Sequence, residues 1–502
     1  GTVVSDGMST NTAGTSNFVA GANAGNSIVS GGNYNTLVGD EAGTAISTAD
    51  SNTAVGTYSL QSTTTGSNNT ALGYIALGGN TTGTDNVALG RSALQLNTTG
   101  SNNIAVGRAA LLFNTTGGNN TAVGYQSLLA NTTGAKGTAV GYEALKSNTT
   151  GQSNTAIGRL SLNANTTASD NTALGNAALY LNTTGSNNVA SGTSAMQYNT
   201  TGSYNTANGV QALFSNTTGI NNTAMGYFAL NSNTTGSSNV AVGSGALDAN
   251  TTGAGSVAVG KNSMYNNTTA IDNVAVGMNA LFTNTIGTAN VAVGRNALLA
   301  NTTASNNTAV GYLALSANTT GHSNVALGFT SLQVNTTGTA NTATGYRALL
   351  NNTTASNNTA NGYESLRLNT TGASNSAFGR QALYSNTTGG NNTATGYRSL
   401  TANTSASNNT AVGYESLAAN TTGTENTAVG TGALDANTTA NYNTAFGRDA
   451  AGANTTGHSN TAIGRYSLLT NISGNYNTAV GRDSLRYNTG ASNTGIGFAA
   501  LS

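Results

Sequence analysis

Acid–base chemistry in this sequence would have to come from two histidines, His322 and His458, each set in the string Gly-His-Ser-Asn. The stretch between them is a whole number of the 17-residue units described below, so the two rings share a face but sit many coils apart. No catalytic dyad is expected within one chain, and both histidines read as solvated loop residues. Asp40 and Glu41, adjacent in the atypical first units, read as a solvated turn rather than a carboxylate pair. There is no cysteine to act as a nucleophile or soft ligand. The many serines lack a nearby base, and neither a phosphate-loop lysine motif nor the Gly-Gly-x-Gly-x-Asp spacing of calcium-binding β-rolls occurs. An enzyme is not expected, nor is a metal or cofactor.

Recognition chemistry has a better footing. One position, directly after a recurrent glycine, carries Tyr74, Arg91, Arg108, Tyr125, Tyr142, Arg159 and Tyr227, then Arg295, Tyr312, Tyr346, Tyr363, Arg380, Tyr397 and Tyr414. Arg448, Arg465 and Arg482 occupy it again near the end. Tyrosine and arginine combine flat area with directional donors, which favours them at interfaces. Two readings stand: a structural stripe covering a coil edge or a seam between chains, or an exposed stripe contacting a glycan or another partner. The position before the same glycine is mostly Val, Leu or Ile but becomes Ser191, Asn208, Thr344, Asn361 and Thr395. A sealed core would penalise such groups. They read either as locally satisfied pockets or as polar rings on a symmetry axis.

What must position these residues is a repeat. The glycine recurs at a constant step of 17 from Gly39 to Gly481, with a step of 18 before it from Gly21 and of 16 after it to Gly497. One unit is Asn-Thr-Ala-Val-Gly-(Tyr/Arg)-x-Ala-Leu-x-x-Asn-Thr-Thr-Gly-x-x. Seventeen residues with glycine and β-branched pairs cannot make a helix pair, but they suit one coil of a solenoid. The expected class is all-β: a parallel β-solenoid, or β-roll, of 17-residue coils. An irregular segment over 1–16 precedes a continuous array over 17–502, about 29 coils at ~4.8 Å each, or roughly 140 Å.

Within a coil, the Asn-Thr-Ala-Val-Gly segment reads as a short strand and x-Ala-Leu as a second. Asn-Thr-Thr-Gly reads as a corner where glycine supplies a positive φ and asparagine bonds its own backbone. The core is expected from Leu94, Leu111, Leu128 and Leu145 together with Val106, Val123 and Val140. Asn103 and Asn120, then Asn154, Asn171 and Asn188, are expected to stack as amide ladders. Opposite charges spaced by one unit, Arg347 with Glu364 and Arg398 with Glu415, should meet on adjacent turns. So little apolar mass per coil favours association of several chains.

Composition excludes further classes. Charged residues are 6% of the 502, the formal net charge is zero, and acids and bases are scattered singly, so a nucleic-acid partner is not expected. No apolar run is long enough for a membrane span, so this segment is not expected to insert in a bilayer. The Asn-Thr-Thr triplets match the glycosylation signal and also suggest a threonine array of the kind that binds ice, although Gly and Asn at that corner should curve it away from a plane.

The strings NTAVG and NVALG resemble the head repeats of YadA-like trimeric autotransporter adhesins, whose units run close to Asn-Ser-Val-Ala-Ile-Gly. The longer string GNNTAVGYQSLLANTTG is similar to shaft repeats of bacteriophage tail fibres, which precede a self-cleaving chaperone domain. The likeness spans about residues 17 to 502. It implies a left-handed homotrimer of β-rolls, extracellular, on a cell surface or virion, serving as a fibre segment for host attachment. The adhesin heads have a shorter repeat, so the corner here is longer. Any stalk, anchor or chaperone is expected outside this stretch. The alternative is a monomeric solenoid that binds glycan or ice.

Overall fold

The computed structural model describes Met8, Ser9 and residues 12–502. It comprises two compact units, Gly1–Gly253 and Ala254–Ser502, each a parallel β-solenoid with a 17-residue turn. The irregular segment expected over 1–16 lies in good part outside the described residues. Its strand Met8–Ser9 runs antiparallel to Phe18–Ala20, unlike every later pairing.

The repeated strand is three residues long. Thr121–Val123 is hydrogen-bonded to Ile104–Val106 on one side and Thr138–Val140 on the other, so that Ala122 lies in register with Ala105 and Ala139. Each residue therefore stacks on its counterpart one unit away, as the constant period requires. The β-branched residues at either end of the strand favour the extended backbone.

The core differs from the expected one. In a three-residue strand only the middle side chain can point inward, and the middle residue is alanine: Ala105, Ala122 and Ala139 are completely buried. Val106, Val123 and Val140 face outward, half-buried, and are not core residues. The leucines are inward as expected, with Leu94, Leu111, Leu128 and Leu145 inaccessible to solvent. The interior is thus a column of alanine methyls facing a column of leucines.

Nor is x-Ala-Leu a second strand. It is a run of turns in which alternate residues take the left-handed conformation, Gln126 at φ 54° and Leu128 at φ 50°. A left-handed residue costs roughly 1–2 kcal/mol. The alternation turns successive peptide planes in opposite directions along the stack, which satisfies the backbone without a strand. The Gln126 amide donates back to the Arg108 carbonyl at 3.1 Å, and the Leu128 amide donates forward to the Ala144 carbonyl at 3.0 Å.

Positive φ in glycine falls at the strand end, not at the corner. Gly124 has φ 137°, and a Cβ there would also collide with the carbonyl of Gly141. The corner glycine, such as Gly117, has no positive φ; a Cβ there would press on the Gly134 carbonyl, a contact that coils with alanine at this corner, Ala168, Ala304 and Ala355, accommodate by a local shift.

Two buried amide ladders run through each unit. In one, the Asn120 amide donates to Asn103 Oδ1 at 3.0 Å while Asn120 Nδ2 donates to the Gly134 carbonyl at 2.9 Å. Asn171 and Asn188 repeat this on Asn154 and Asn171. In the other, formed by the asparagine of Asn-Thr-Thr, Asn131 Nδ2 donates to Asn114 Oδ1 at 2.7 Å and to Gly134, three residues along its own coil, at 2.9 Å. The asparagine bonds its own backbone as expected, and bonds its neighbour as well.

The first ladder has a gap at Gly137, which donates to Asn120 Oδ1 but offers no acceptor to the Asn154 amide above it. Gly137→Asn should restore the rung, adding a hydrogen bond and removing glycine's unfolded-state freedom. Slower amide exchange around residues 137–154, equivalent to about 1 kcal/mol of added local stability, is the expected result.

Candidate binding face

The position after the strand-end glycine forms a continuous side-chain column in each unit. In the first, the column runs Tyr74, Arg91, Arg108, Tyr125, Tyr142 and Arg159. Arg91 Cζ lies 5.9 Å from the Tyr74 ring centroid, Arg108 Cζ 5.8 Å from Tyr125, and Arg159 Cζ 5.9 Å from Tyr142. The Tyr125 and Tyr142 rings stack at 5.4 Å with 16° between planes. In the second unit, Tyr312, Phe329, Tyr346 and Tyr363 stack at 5.3, 5.5 and 5.1 Å. Arg380 is held between Tyr363 and Tyr397, at 5.5 and 5.7 Å, and Tyr397 stacks on Tyr414 at 5.2 Å. Tyr227 packs against Phe228 instead, and Arg295 joins neither stack.

These spacings follow from the coil rise, since identical positions on successive turns are ~4.8 Å apart. Offset stacking and cation–π contact each add about 0.5–1 kcal/mol at exposed sites. The geometry also limits what the stripe can bind. Because the rings lie face to face, their faces are occupied by one another or by guanidinium groups. Tyr142, 47% exposed, and Tyr346, 36% exposed, show solvent mainly their edges and hydroxyls. The Tyr142 phenol is raised above its ordinary pKa, first through its hydrogen bond with Glu143. Phe329 belongs to the column although tyrosine and arginine alone were singled out in the sequence; the shared repeat position was the available signal.

The strand face beside this column carries the residue before the glycine, and all of these residues point outward. Leu72 is 50% exposed, and Ile157, Met225, Phe378 and Phe446 are exposed as well. Ser191 and Thr344 are half-buried, and Asn208, Asn361 and Thr395 are exposed, so none of the five polar residues is sealed in a core. No charged residue occupies this position in either unit.

The charge pairs spaced by one unit do meet. Arg398 Nη1 lies 3.5 Å from Glu415 Oε1 and Arg347 Nη1 4.0 Å from Glu364 Oε1, while Arg367 Nη1 donates both to Glu364 at 2.9 Å and to the Tyr384 hydroxyl at 2.7 Å. Near the end, Tyr466 gathers the guanidiniums of Arg465, Arg486 and Arg448 at 4.4, 4.9 and 5.9 Å. The Arg465 hydrogen bond to its hydroxyl, at 3.0 Å, is the main reason the Tyr466 phenol titrates below its ordinary range.

Elsewhere the reactive groups stay apart. The His322 and His458 rings each hydrogen-bond the following serine hydroxyl, at 3.3 and 3.2 Å, and Tyr476 approaches the His458 ring edge-on. Glu41 accepts from Gln61 Nε2 at 2.7 Å. Among the described residues no cluster of three His, Cys, Asp or Glu could hold a metal, and no helix is long and apolar enough to cross a membrane.

Asp435, close to Asp449 and Glu415, has its carboxyl pushed above the ordinary 3.8, first by loss of water against the neighbouring coils and then by those two charges. A folded-state pKa above the unfolded one means that ionisation costs stability. The cost is present above the folded pKa and vanishes below the unfolded value. Asp435 keeps an exposed outer side, so the cost is small. Asp435→Asn should melt about a degree higher than the parent near pH ~7 and indistinguishably from it near pH ~3.

The Asn-Thr-Thr corners are also resolved. Their asparagines, for example Asn97, Asn114 and Asn131, are wholly buried with Nδ2 engaged twice, so in the folded coil this nitrogen cannot carry a sugar. The first threonine spends its hydroxyl on the next coil, Thr115 Oγ1 donating to the Thr132 carbonyl at 3.0 Å. The second, such as Thr116, is exposed, but on a bend rather than a flat strand. No family model matches the sequence, and no curated protein matches it.

Proposed function

We propose that this chain is a structural and adhesive fibre segment, a left-handed homotrimer of β-rolls exposed on a cell surface or virion, with no catalytic role. What supports the reading is the outer strand face: a row of mostly apolar side chains, exposed or half-buried, broken by Ser191, Asn208, Thr344, Asn361 and Thr395 but without a single charge, and bordered by tyrosine and arginine. Repeated on coil after coil, such a row is the extended kind of apolar patch that marks contact sites on protein surfaces. Apolar centres with Tyr and Arg enrichment are also the composition of protein interfaces. Repetition of weak contacts along the face would supply attachment by avidity, so no single site needs high affinity.

The native mass by light scattering over a range of dilutions tests this. The expected value is close to three times 49.6 kDa at every dilution. A mass of one chain overturns the fibre and favours the monomeric binding module, for which the exposed threonine column would then be assayed by thermal hysteresis.

A further inference from the structure

We infer that Arg91 and Arg108 form a binding site for the carboxylate of an acidic polysaccharide. The two arginines follow one another on adjacent coils, joined through the Ala109 amide and the Arg91 carbonyl at 3.0 Å. Elsewhere charges on successive coils are offset: Arg347 meets Glu364 and Arg398 meets Glu415, and in the like-charged run Arg448, Arg465 and Arg482 the first and last each pair with an aspartate while Arg465 bonds the Tyr466 hydroxyl. Here two like charges are stacked, and neither forms an ion pair. Such an arrangement is unfavourable in the free chain and becomes favourable when an anion sits between the two.

The side chains are also set in place for it. Arg91 is held over Tyr74, on the preceding coil, and Arg108 over Tyr125, on the following one. Each guanidinium thus leans on a ring that lies on the side away from the other arginine. An oxyanion bound between them would take donors from both, while the rings reduce the conformational freedom lost on binding. Arg448 and Arg482, by contrast, are each tied at 3.1 Å to the next residue, Asp449 and Asp483.

A sugar acid fits the surroundings better than other polyanions. On either side, the exposed edges of Tyr74 and Tyr125 present hydroxyls to a sugar's own, and an extended pyranose chain advances by about one residue per coil. Single-stranded nucleic acid would need free aromatic faces, and here Arg91 and Arg108 lie over the rings and Tyr125 also stacks on Tyr142. The site rests on the adhesive half of the proposed function and is independent of chain number.

The test is calorimetric titration of the whole chain with an oligogalacturonate, alongside a neutral cello-oligosaccharide and a single-stranded oligonucleotide of matching length. The expected result is binding of the uronate alone, weakened at least tenfold in Arg91→Gln/Arg108→Gln and unchanged in Arg347→Gln/Arg398→Gln, which removes the same charge elsewhere. Circular dichroism confirms that both variants stay folded. Undiminished binding in the first variant, equal loss in the second, tighter binding of the neutral sugar or the oligonucleotide, or no uronate binding by the parent each overturns the site. If the mass is that of one chain while the uronate result holds, the fibre falls and the site stands.

Discussion

Leu128→Asp should unfold the coils around it. Leu128 has no solvent access, and its neighbours in the column, Leu111 and Leu145, are equally enclosed. The aspartate would lie among leucine side chains and the Ala122 and Ala139 methyls, none of which can pair with it, and burying an unpaired carboxylate costs several kcal/mol. Loss of the leucine adds the cavity cost of about 2–5 kcal/mol seen for large-to-small changes. In a stacked repeat each coil depends on its two neighbours, so the damage spreads locally rather than remaining at one side chain. Hydrogen exchange should show residues near 111–145 unprotected, with a lower first melting transition. An unchanged melt would mean that the leucine does not face inward.

Asn131→Leu should be nearly as damaging, although it replaces a polar core residue with an apolar one of similar size. The wild-type amide serves three partners: it donates to Asn114 Oδ1 and the Gly134 carbonyl, and its Oδ1 accepts from Asn148 Nδ2 at 2.9 Å. Leucine removes all three bonds: Asn114 Oδ1 is left without a donor, while the Gly134 carbonyl keeps Asn120 Nδ2 and Asn148 Nδ2 keeps the Gly151 carbonyl. One orphaned buried acceptor at about 1–3 kcal/mol and two lost bonds at about 0.5–1.5 kcal/mol each give a total on the order of 2–6 kcal/mol. Asn131→Asp keeps the acceptor but loses both donor bonds and adds a buried charge, so it should melt no higher than the leucine variant. A melt equal to the parent's in either case would show that the ladder contributes nothing to stability.

A repeat makes some features of its fold legible in the sequence and hides others. The period was readable because one glycine recurs where two coils touch, and period alone then fixed the parallel register, the amide ladders and the meeting of Arg398 with Glu415. The inward face was misread because size was taken as the guide. The larger Val123 suggests core by its size, yet three residues of strand admit only one inward side chain, and the narrow interior takes the Ala122 methyl there. The supposed second strand failed because a left-handed leucine such as Leu128 is costly in isolation. Only the hydrogen bonds to both neighbouring coils repay that cost, and they are invisible in one unit. At the candidate face, the positions of Tyr and Arg were legible, but the mutual stacking that turns ring edges outward follows from rotamers that sequence does not specify.

The alternating left-handed turn has a consequence for how the length of such a chain can change. The bonds it makes between coils join fixed positions of the repeat, as Gln126 to Arg108 on the coil before and Leu128 to Ala144 on the coil after, so the rules for joining coils are written inside a single coil. Deleting or duplicating one whole unit inside a stack, for example residues 98–114, leaves each remaining group facing a partner of the same kind. A change of one residue is accommodated near the two ends of the array, where Phe18–Ala20 pairs with Thr36–Val38 at a step of 18 and Thr478–Val480 with Thr494–Ile496 at a step of 16. Tandem copying of the coding segment at the 17-residue spacing thus preserves the stack, and length becomes a trait that can vary in whole coils while the contacts between coils stay under the same constraint.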